Sequence, residues 1–214
     1  MYLIAGSTEP EISKLRENEE LAENFDFLVT GIGVLESAIS LLKYFSARKA
    51  DWVVLFGLCG AYPGTGTDIL DVCLAEAEHF GDFGIAINDE IEYFSDPVFE
   101  NRYDFDLKNN FFARIENSLE VLKIPYKKGP FVTVNSCSGT LSRGSFLRDE
   151  FGAICENMEG AAIAHVCRIH NVPMTEVRCV SNLVEDRDKT KWQISKAIAE
   201  GSDVIAKILI EAVK

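Results

Sequence analysis

The sequence predicts an α/β fold, a single-domain three-layer sandwich with a mostly parallel or mixed central sheet. Apolar runs typical of buried strands alternate with segments whose apolar residues recur at helical spacing. The chain has 214 residues, of which 47% are hydrophobic and 26% are charged, as in an ordinary globular protein. That length suits one domain with a sizeable core, so we expect residues 1–214 to fold as one unit.

In the first half, the alternation begins with a short apolar run that ends at Gly6. Apolar runs predict strands over residues 2–5, 25–30, 51–56 and 69–78. Helical spacing of apolar residues predicts helices from about 9 to 21 and from 34 to 44. Pro10 suits the first turn of the first of these helices.

The second half repeats the pattern after two irregular segments. Glycines interrupt residues 79–92, and residues 97–110 are polar and aromatic, which predicts a loop or a lid. Strands are predicted over residues 129–134, 152–155 and 174–180. Helices are predicted over residues 111–123, 141–151, 160–170 and 192–213.

Polar clusters follow the predicted strands. They lie at residues 6–11, 57–66, 135–140, 156–159 and 181–188. The carboxyl ends of strands in an open α/β sheet meet at one edge, where ligands bind. We therefore expect these clusters to share one site.

The stretch 156–162 joins polar residues to the small residues of a packed helix. A carboxylate such as Glu159 at a helix N-terminus suits the helix dipole and can accept two hydrogen bonds from vicinal hydroxyls, as on a ribose. Met158 could lie against the apolar side of a sugar. An acidic helix start beside a buried methionine is the plain alternative.

Two other segments offer candidate functional groups. Glu11 lies in the first turn after the first strand, where it could face a ligand or simply be a surface acid that suits the helix dipole. The glycine-rich loop 57–66 would let the backbone approach a ligand, but it lacks the Walker pattern. Gly31 and Gly33 lack the third glycine of a dinucleotide fingerprint.

Composition excludes several classes of protein. The formal net charge of −13 disfavours nucleic acid and anionic membranes as partners. The six cysteines have neither C-x-x-C spacing nor a histidine at metal-ligand spacing, so we expect no zinc site. No motif suggests another metal or an organic cofactor, and we expect none. No signal sequence and no apolar run of about 18 residues is visible, which predicts a cytoplasmic protein.

A resemblance to a known family rests on these motifs. The stretch 156–162, followed by Pro173, Arg178, Ser181 and Asn182, resembles the nucleoside phosphorylase and nucleosidase superfamily. Within it, the stretch 182–188 with Trp192 looks closer to the futalosine hydrolases of menaquinone biosynthesis. The methylthioadenosine/S-adenosylhomocysteine nucleosidases end the corresponding strand in Ser-Asp.

The resemblance implies hydrolysis of the N-glycosidic bond of a purine nucleoside. It implies that Glu11 activates water, that Glu159 binds the ribose hydroxyls and that Met158 packs against the sugar. The loop that contains Gly60 is expected to lie along the sugar and base. Asn135 and Asn157 are the remaining candidates for substrate binding.

Asn182 departs from the adenine-specific pattern, because it stands where those enzymes have an aspartate. A carboxamide can donate to O6 of a 6-oxopurine, whereas a carboxylate there would face another acceptor. Asn182 therefore favours hypoxanthine, the base of futalosine, and we expect it to assist departure of the base by hydrogen bonding. It cannot protonate the leaving base, for which Asp186 and Asp188 are candidates.

Several alternatives stay open from the sequence. Arg143 could serve a phosphate pocket, in which case the enzyme would be a phosphorylase, or it could pair with the carboxyphenyl group of futalosine. An adenine-releasing nucleosidase and a nucleoside-binding sensor on the same fold are further readings. A homodimer or larger homo-oligomer is expected by analogy with the family.

Overall fold

The computed structural model describes residues 1–88, 90–96, 99 and 103–214. Ten strands are present in this part of the chain: β1 Tyr2–Gly6, β2 Phe25–Val29, β3 Val53–Ala61, β4 Val72–Phe80, β5 Gly84–Ile87, β6 Glu90–Tyr93, β7 Asp104–Asp106, β8 Lys127–Thr133, β9 Cys155–Asn157 and β10 Met174–Leu183. The α-helices are α1 Glu9–Arg16, α2 Glu19–Ala22, α3 Val34–Ala47, α4 Asn110–Val121, α5 Leu141–Phe151, α6 Gly160–His170 and α7 Ile194–Ala212.

The central sheet is mixed, and strand β3 is its organiser. Strand β3 pairs in parallel with β1 and β10 and antiparallel with β9. The order β10-β4-β8-β9-β3-β1-β2 returns on itself, because β10 pairs both with β4 and with β3. Strand β3 uses different parts of its length for different partners: its first residues pair with β1, and its last two pair with β9.

Helices cover both faces of the sheet, as the alternating pattern predicts. Helices α3 and α6 pack on each other over one buried cluster that includes Leu55 and Ile163. Helices α1, α4 and α7 cover a second cluster that includes Phe56 and Ile205. The predicted α/β class with a mixed central sheet is confirmed, and alternate residues of β3 supply both clusters.

The structure differs from the sequence-based expectation mainly between β4 and α4. Within the segment 79–92, predicted to be irregular, β4 continues to Phe80 and β5 pairs antiparallel with β6, while β7 pairs with β4 inside the predicted loop 97–110. The rest of that loop lies partly outside the described residues. None of the helices in the described ranges is long and apolar enough to cross a membrane.

Candidate active site

A cavity of about 340 Å³ opens at the edge of the sheet where β1, β3, β9 and β10 end. Polar and acidic side chains line one part of it and apolar side chains another. The lining residues are Ser7, Thr8, Glu11, Ile32, Leu58, Cys59, Gly60, Cys137, Ser138, Glu156, Asn157, Met158, Glu159, Ser181, Asn182, Trp192, Ile194 and Ile198. All five polar clusters that follow predicted strands therefore contribute residues to one cavity.

Glu11 is held at the N-terminus of α1 by its own capping interactions. Its Oε2 accepts hydrogen bonds from Ser7 Oγ at 2.7 Å, from the Thr8 N–H at 2.7 Å and from Thr8 Oγ1 at 2.9 Å. The side chain is buried, so these three donors compensate the carboxylate for lost water. Within the described residues all three bonds go to Oε2, which leaves Oε1 to bind a ligand or water.

Glu159 lies at the N-terminus of α6 and faces a buried arginine. Its Oε1 accepts the Gly33 N–H at 3.1 Å, and its Oε2 lies 3.3 Å from Arg178 Nη1. Arg178 is also bonded to Glu176 through Nε at 2.7 Å and to the Leu58 carbonyl through Nη1 at 3.2 Å. The guanidinium therefore fixes Glu159 and offsets its charge in the interior.

Asn157 and Met158 border the cavity in different ways. The Oδ1 atom of Asn157 accepts the backbone N–H groups of Glu159 at 2.9 Å and Gly160 at 2.7 Å, and the Nδ2 atom donates to Glu78. The carboxamide is thus committed to the protein, which makes Asn157 a support for Glu159. Met158 lines the cavity beside the exposed Cys137, with the two sulfur atoms 3.4 Å apart.

Gly60 lies between two strands that each carry a polar side chain of the cavity. In the sheet it pairs with Asn182 of β10 on one side and with Glu156 of β9 on the other. A Cβ atom added at Gly60 would lie 2.9 Å from Val184 Cγ2, 3.2 Å from Asn182 Nδ2 and 3.7 Å from Glu156 Cγ. The Asn182 Oδ1 atom accepts Ser181 Oγ at 2.8 Å, and its Nδ2 donates to the Leu183 carbonyl at 3.2 Å, which leaves the second N–H of Nδ2 for a ligand.

Glu156 is a buried carboxyl group of the cavity with three donors around it. Its Oε1 accepts the Ser138 N–H at 2.8 Å, while its Oε2 accepts Ser138 Oγ at 2.6 Å and Tyr62 Oη at 3.2 Å. Burial raises the pKa of Glu156 above its usual value, and the hydrogen bonds from Ser138 and Tyr62 act in the opposite direction.

Four of the predicted candidates lie outside the cavity lining. Asn135 is exposed, and its backbone N–H is bonded to Asp82. Arg143 forms an ion pair with the same Asp82. Asp186 accepts the Leu141 N–H, and Asp188 caps a short 3₁₀ turn through Thr190. These four residues are held by partners outside the cavity, so following a strand is not enough to place a side chain in the site.

The structure also adds residues to the cavity that the sequence analysis had not assigned to substrate binding. Trp192, Ile194 and Ile198 form an apolar wall where β10 leads into α7. Glu156 belonged to the recognised motif, but it was given no role because a three-residue strand has no periodicity to show which face it uses. Its place in the sequence, directly before Asn157 and Met158, was the available signal.

Comparisons with known proteins agree with this geometry. A family model described as the phosphorylase superfamily matches residues 27–214. The chain belongs to the phosphorylase superfamily. The matched span contains Glu156, Glu159 and Asn182, whereas Glu11 precedes it, so the case for Glu11 is made by its position in the cavity.

Within this superfamily the similarity to nucleosidases is extensive. The futalosine hydrolase of Thermus thermophilus is 31% identical over 192 residues, which cover 87% of this chain and 82% of that protein. The futalosine hydrolase structure of Helicobacter pylori has a TM-score of 0.82 at 17% identity, covering 97% and 96% of the two chains. The Neisseria meningitidis methylthioadenosine/S-adenosylhomocysteine nucleosidase, in complex with methylthio-immucillin-A, has a TM-score of 0.82 at 19% identity and covers 97% of both chains. At these identities the two structures establish the fold.

Proposed function

We propose that this phosphorylase-superfamily member hydrolyses the N-glycosidic bond of a hypoxanthine nucleoside of the futalosine type. The observation that carries the proposal is that Glu11, Glu159 and Asn182, far apart in sequence, line one cavity. Similarity to futalosine hydrolase over most of the chain supports the same activity.

The two acidic groups and the amide have separable tasks. Glu11 accepts a proton from the attacking water through Oε1, because Oε2 is already held by Ser7 and Thr8. Glu159 binds the ribose hydroxyls, and the nearby carboxylates stabilise the positive charge that develops on the sugar. Asn182 donates to the base as negative charge grows on it.

The charge of the cavity favours water over phosphate as the acceptor. Among the described lining residues there are three glutamates and no lysine or arginine side chain. Arg178 lies behind Glu159 and is engaged by Glu176 and the Leu58 carbonyl. A phosphate dianion would meet net negative charge here, so phosphorolysis is the weaker alternative.

The base and the 5′ substituent are argued from two other parts of the cavity. The amide nitrogen of Asn182 at Gly60 suits O6 of hypoxanthine, which disfavours the adenine-releasing alternative. The wall of Trp192, Ile194 and Ile198 offers apolar surface to an aromatic 5′ group such as the one on futalosine. Arg187 lies over the Trp192 ring at 5.5 Å and would be near a carboxylate on that group.

Product analysis tests the proposal. The purified protein is incubated with futalosine, inosine and methylthioadenosine, each with and without inorganic phosphate, and free bases and sugar products are separated by chromatography. We expect hypoxanthine from futalosine at a rate that phosphate does not change. Formation of a sugar phosphate, or faster release of adenine from methylthioadenosine, would contradict the assignment.

We also propose that the enzyme works as a homo-oligomer. Support comes from helix α3, which exposes an apolar stripe of Leu35, Ile39 and Leu42 shortly after the exposed, cavity-lining Ile32. Large exposed apolar patches mark association surfaces more often than free surface. A cytoplasmic location stays a prediction from the sequence.

A further inference from the structure

The register of the sheet places a hydrogen-bond donor and an acceptor on either side of Gly60. Asn182 and Glu156 both pair directly with Gly60, so their side chains leave the sheet on the same face. Their backbones are two strand spacings apart, about 10 Å. The buried Val184 side chain packs against Gly60 on this face, and Asn182 and Glu156 both line the cavity, where a flat ligand can reach both side chains.

The hydrogen bonds of Glu156 define what it can still bind. A carboxylate offers about four acceptor positions. Three are used, one on Oε1 by the Ser138 N–H and two on Oε2 by Ser138 Oγ and Tyr62 Oη. The fourth position is on Oε1, so Glu156 can accept one more hydrogen bond from the cavity.

The purine edge that fits this arrangement carries an acceptor next to a donor. A 6-oxopurine presents O6 beside N1–H, whereas a 6-aminopurine presents an amino group beside an unprotonated N1. Asn182 offers an N–H toward Gly60, and Glu156 offers a lone pair. Only the 6-oxopurine is complementary to both groups at once.

We propose that Glu156 is a specificity-determining residue that accepts the N1–H of a 6-oxopurine base while Asn182 donates to O6. This inference rests on the proposed function, which it extends from the reaction to the choice of base. The alternative is a purely structural role, in which Glu156 only connects β9 to Ser138 and Tyr62. That role would affect stability equally for all substrates and would leave base selection unchanged.

The test compares two substrates that differ only at position 6 of the base. Futalosine and its analogue with adenine in place of hypoxanthine are assayed with the wild type, Glu156→Gln and Tyr62→Phe. The glutamine keeps the size of the side chain but removes the charge and can offer an N–H to the base. Tyr62→Phe breaks the same buried hydrogen bond from the other side and keeps the carboxylate.

We expect Glu156→Gln to lower the ratio of kcat/KM for the hypoxanthine substrate over the adenine substrate by at least about tenfold, the scale of one hydrogen bond to a charged acceptor. Tyr62→Phe is expected to keep the wild-type ratio even if it lowers stability. A wild-type ratio in Glu156→Gln, or an equal loss in both variants, would overturn the proposal.

A binding measurement separates this inference from the proposed activity. If the wild type releases no base from either nucleoside, the proposed function is wrong, but calorimetric titration with free hypoxanthine and free adenine still tests Glu156. We then expect hypoxanthine to bind more tightly than adenine to the wild type, and Glu156→Gln to lose that preference. Equal binding of the two bases by the wild type would overturn the inference on its own.

Discussion

At the residue scale, the division of labour between the two oxygens of Glu11 leads to a kinetic prediction. Glu11→Gln keeps the size of the side chain and one oxygen for the Ser7 and Thr8 donors, but it cannot accept a proton from water. We expect kcat for futalosine to fall by about 10²- to 10⁴-fold, the usual contribution of a general base, with a small change in KM. Glu9→Gln, an exposed acid two residues earlier that pairs with Arg16, is the matched control. A wild-type kcat in Glu11→Gln would remove Glu11 from the mechanism.

The amide of Asn182 gives a second prediction at the same scale. Asn182→Asp replaces an N–H donor by a carboxylate facing O6 of hypoxanthine. We expect kcat/KM for futalosine to fall by more than about tenfold, since an acceptor would oppose an acceptor, and we expect activity on the adenine analogue to rise. Steady-state kinetics on both substrates measure the two values of kcat/KM. A change in the same direction for both substrates would argue that Asn182 does not face position 6 of the base.

At the element scale, strand β3 sets the spacing between the two ends of the cavity. Gly57 lies beside Glu11 and Arg178, and Gly60 lies three residues further on, beside Asn182 and Glu156. Three residues of extended strand span about 10 Å, which separates the Glu11 end of the site from the Asn182 end. The absence of a side chain at Gly57 and Gly60 therefore gives the neighbouring side chains room to take these positions.

This spacing makes Gly57 sensitive to a single methyl group. The Cβ of Gly57→Ala would lie 2.7 Å from Arg178 Nη1 and 3.0 Å from Glu11 Oε1, so the buried pair has to move. We expect a loss of about 1–3 kcal/mol in the free energy of unfolding, as for other overpacked sites, and a fall in kcat. Urea unfolding and kinetics measure the two effects. Gly139→Ala, where an added Cβ meets nothing within 4 Å, is the control, and equal behaviour of both variants would contradict the prediction.

The same strand shows what the sequence could and could not predict. Glu11, Glu159 and Asn182 follow apolar runs, and this local signal was sufficient to bring them to one edge. The partnership of Glu156 with Asn182 depends on the pairing of β9 with β3, a non-local register that no local pattern encodes. Asn135 also follows a strand, but the direction of its turn is set by a hydrogen bond to Asp82.

At the scale of the whole molecule, the exposed stripe on α3 predicts association of two copies. Leu35 is 71% exposed and lies in one stripe with the exposed Ile39 and Leu42. Contiguous apolar patches of this kind mark association surfaces. Leu35→Glu would place a charge in the proposed interface, so we expect a lower association constant in sedimentation experiments over a range of concentrations. Val121→Glu, at an exposed position of α4, is the matched control. A wild type that is monomeric at every concentration would contradict the prediction.

Beneath the cavity, the fold buries two carboxyl groups side by side, Glu78 and Glu176, both against Gly160. Glu176 is paired with Arg178, whereas Glu78 accepts hydrogen bonds from Thr133 and Asn157. Burial, and then the charge of Glu176, raise the pKa of Glu78 well above its usual value. The folded protein thus keeps a proton that the unfolded chain releases near the ordinary pKa of glutamate.

A group with a raised folded-state pKa stabilises the protein most below its unfolded pKa, and that contribution is lost as the pH rises toward the folded value. Glu78 should therefore lower the free energy of unfolding by up to about 1.4 kcal/mol per pH unit across that window. Glu78→Gln cannot titrate and can still donate to Glu176, so its stability should decline less steeply than that of the wild type. Urea unfolding from about pH 5 to about pH 8 measures the slopes, with Glu120→Gln on the surface of α4 as the control. Parallel slopes for the wild type and Glu78→Gln would show that Glu78 is ionised in the folded protein.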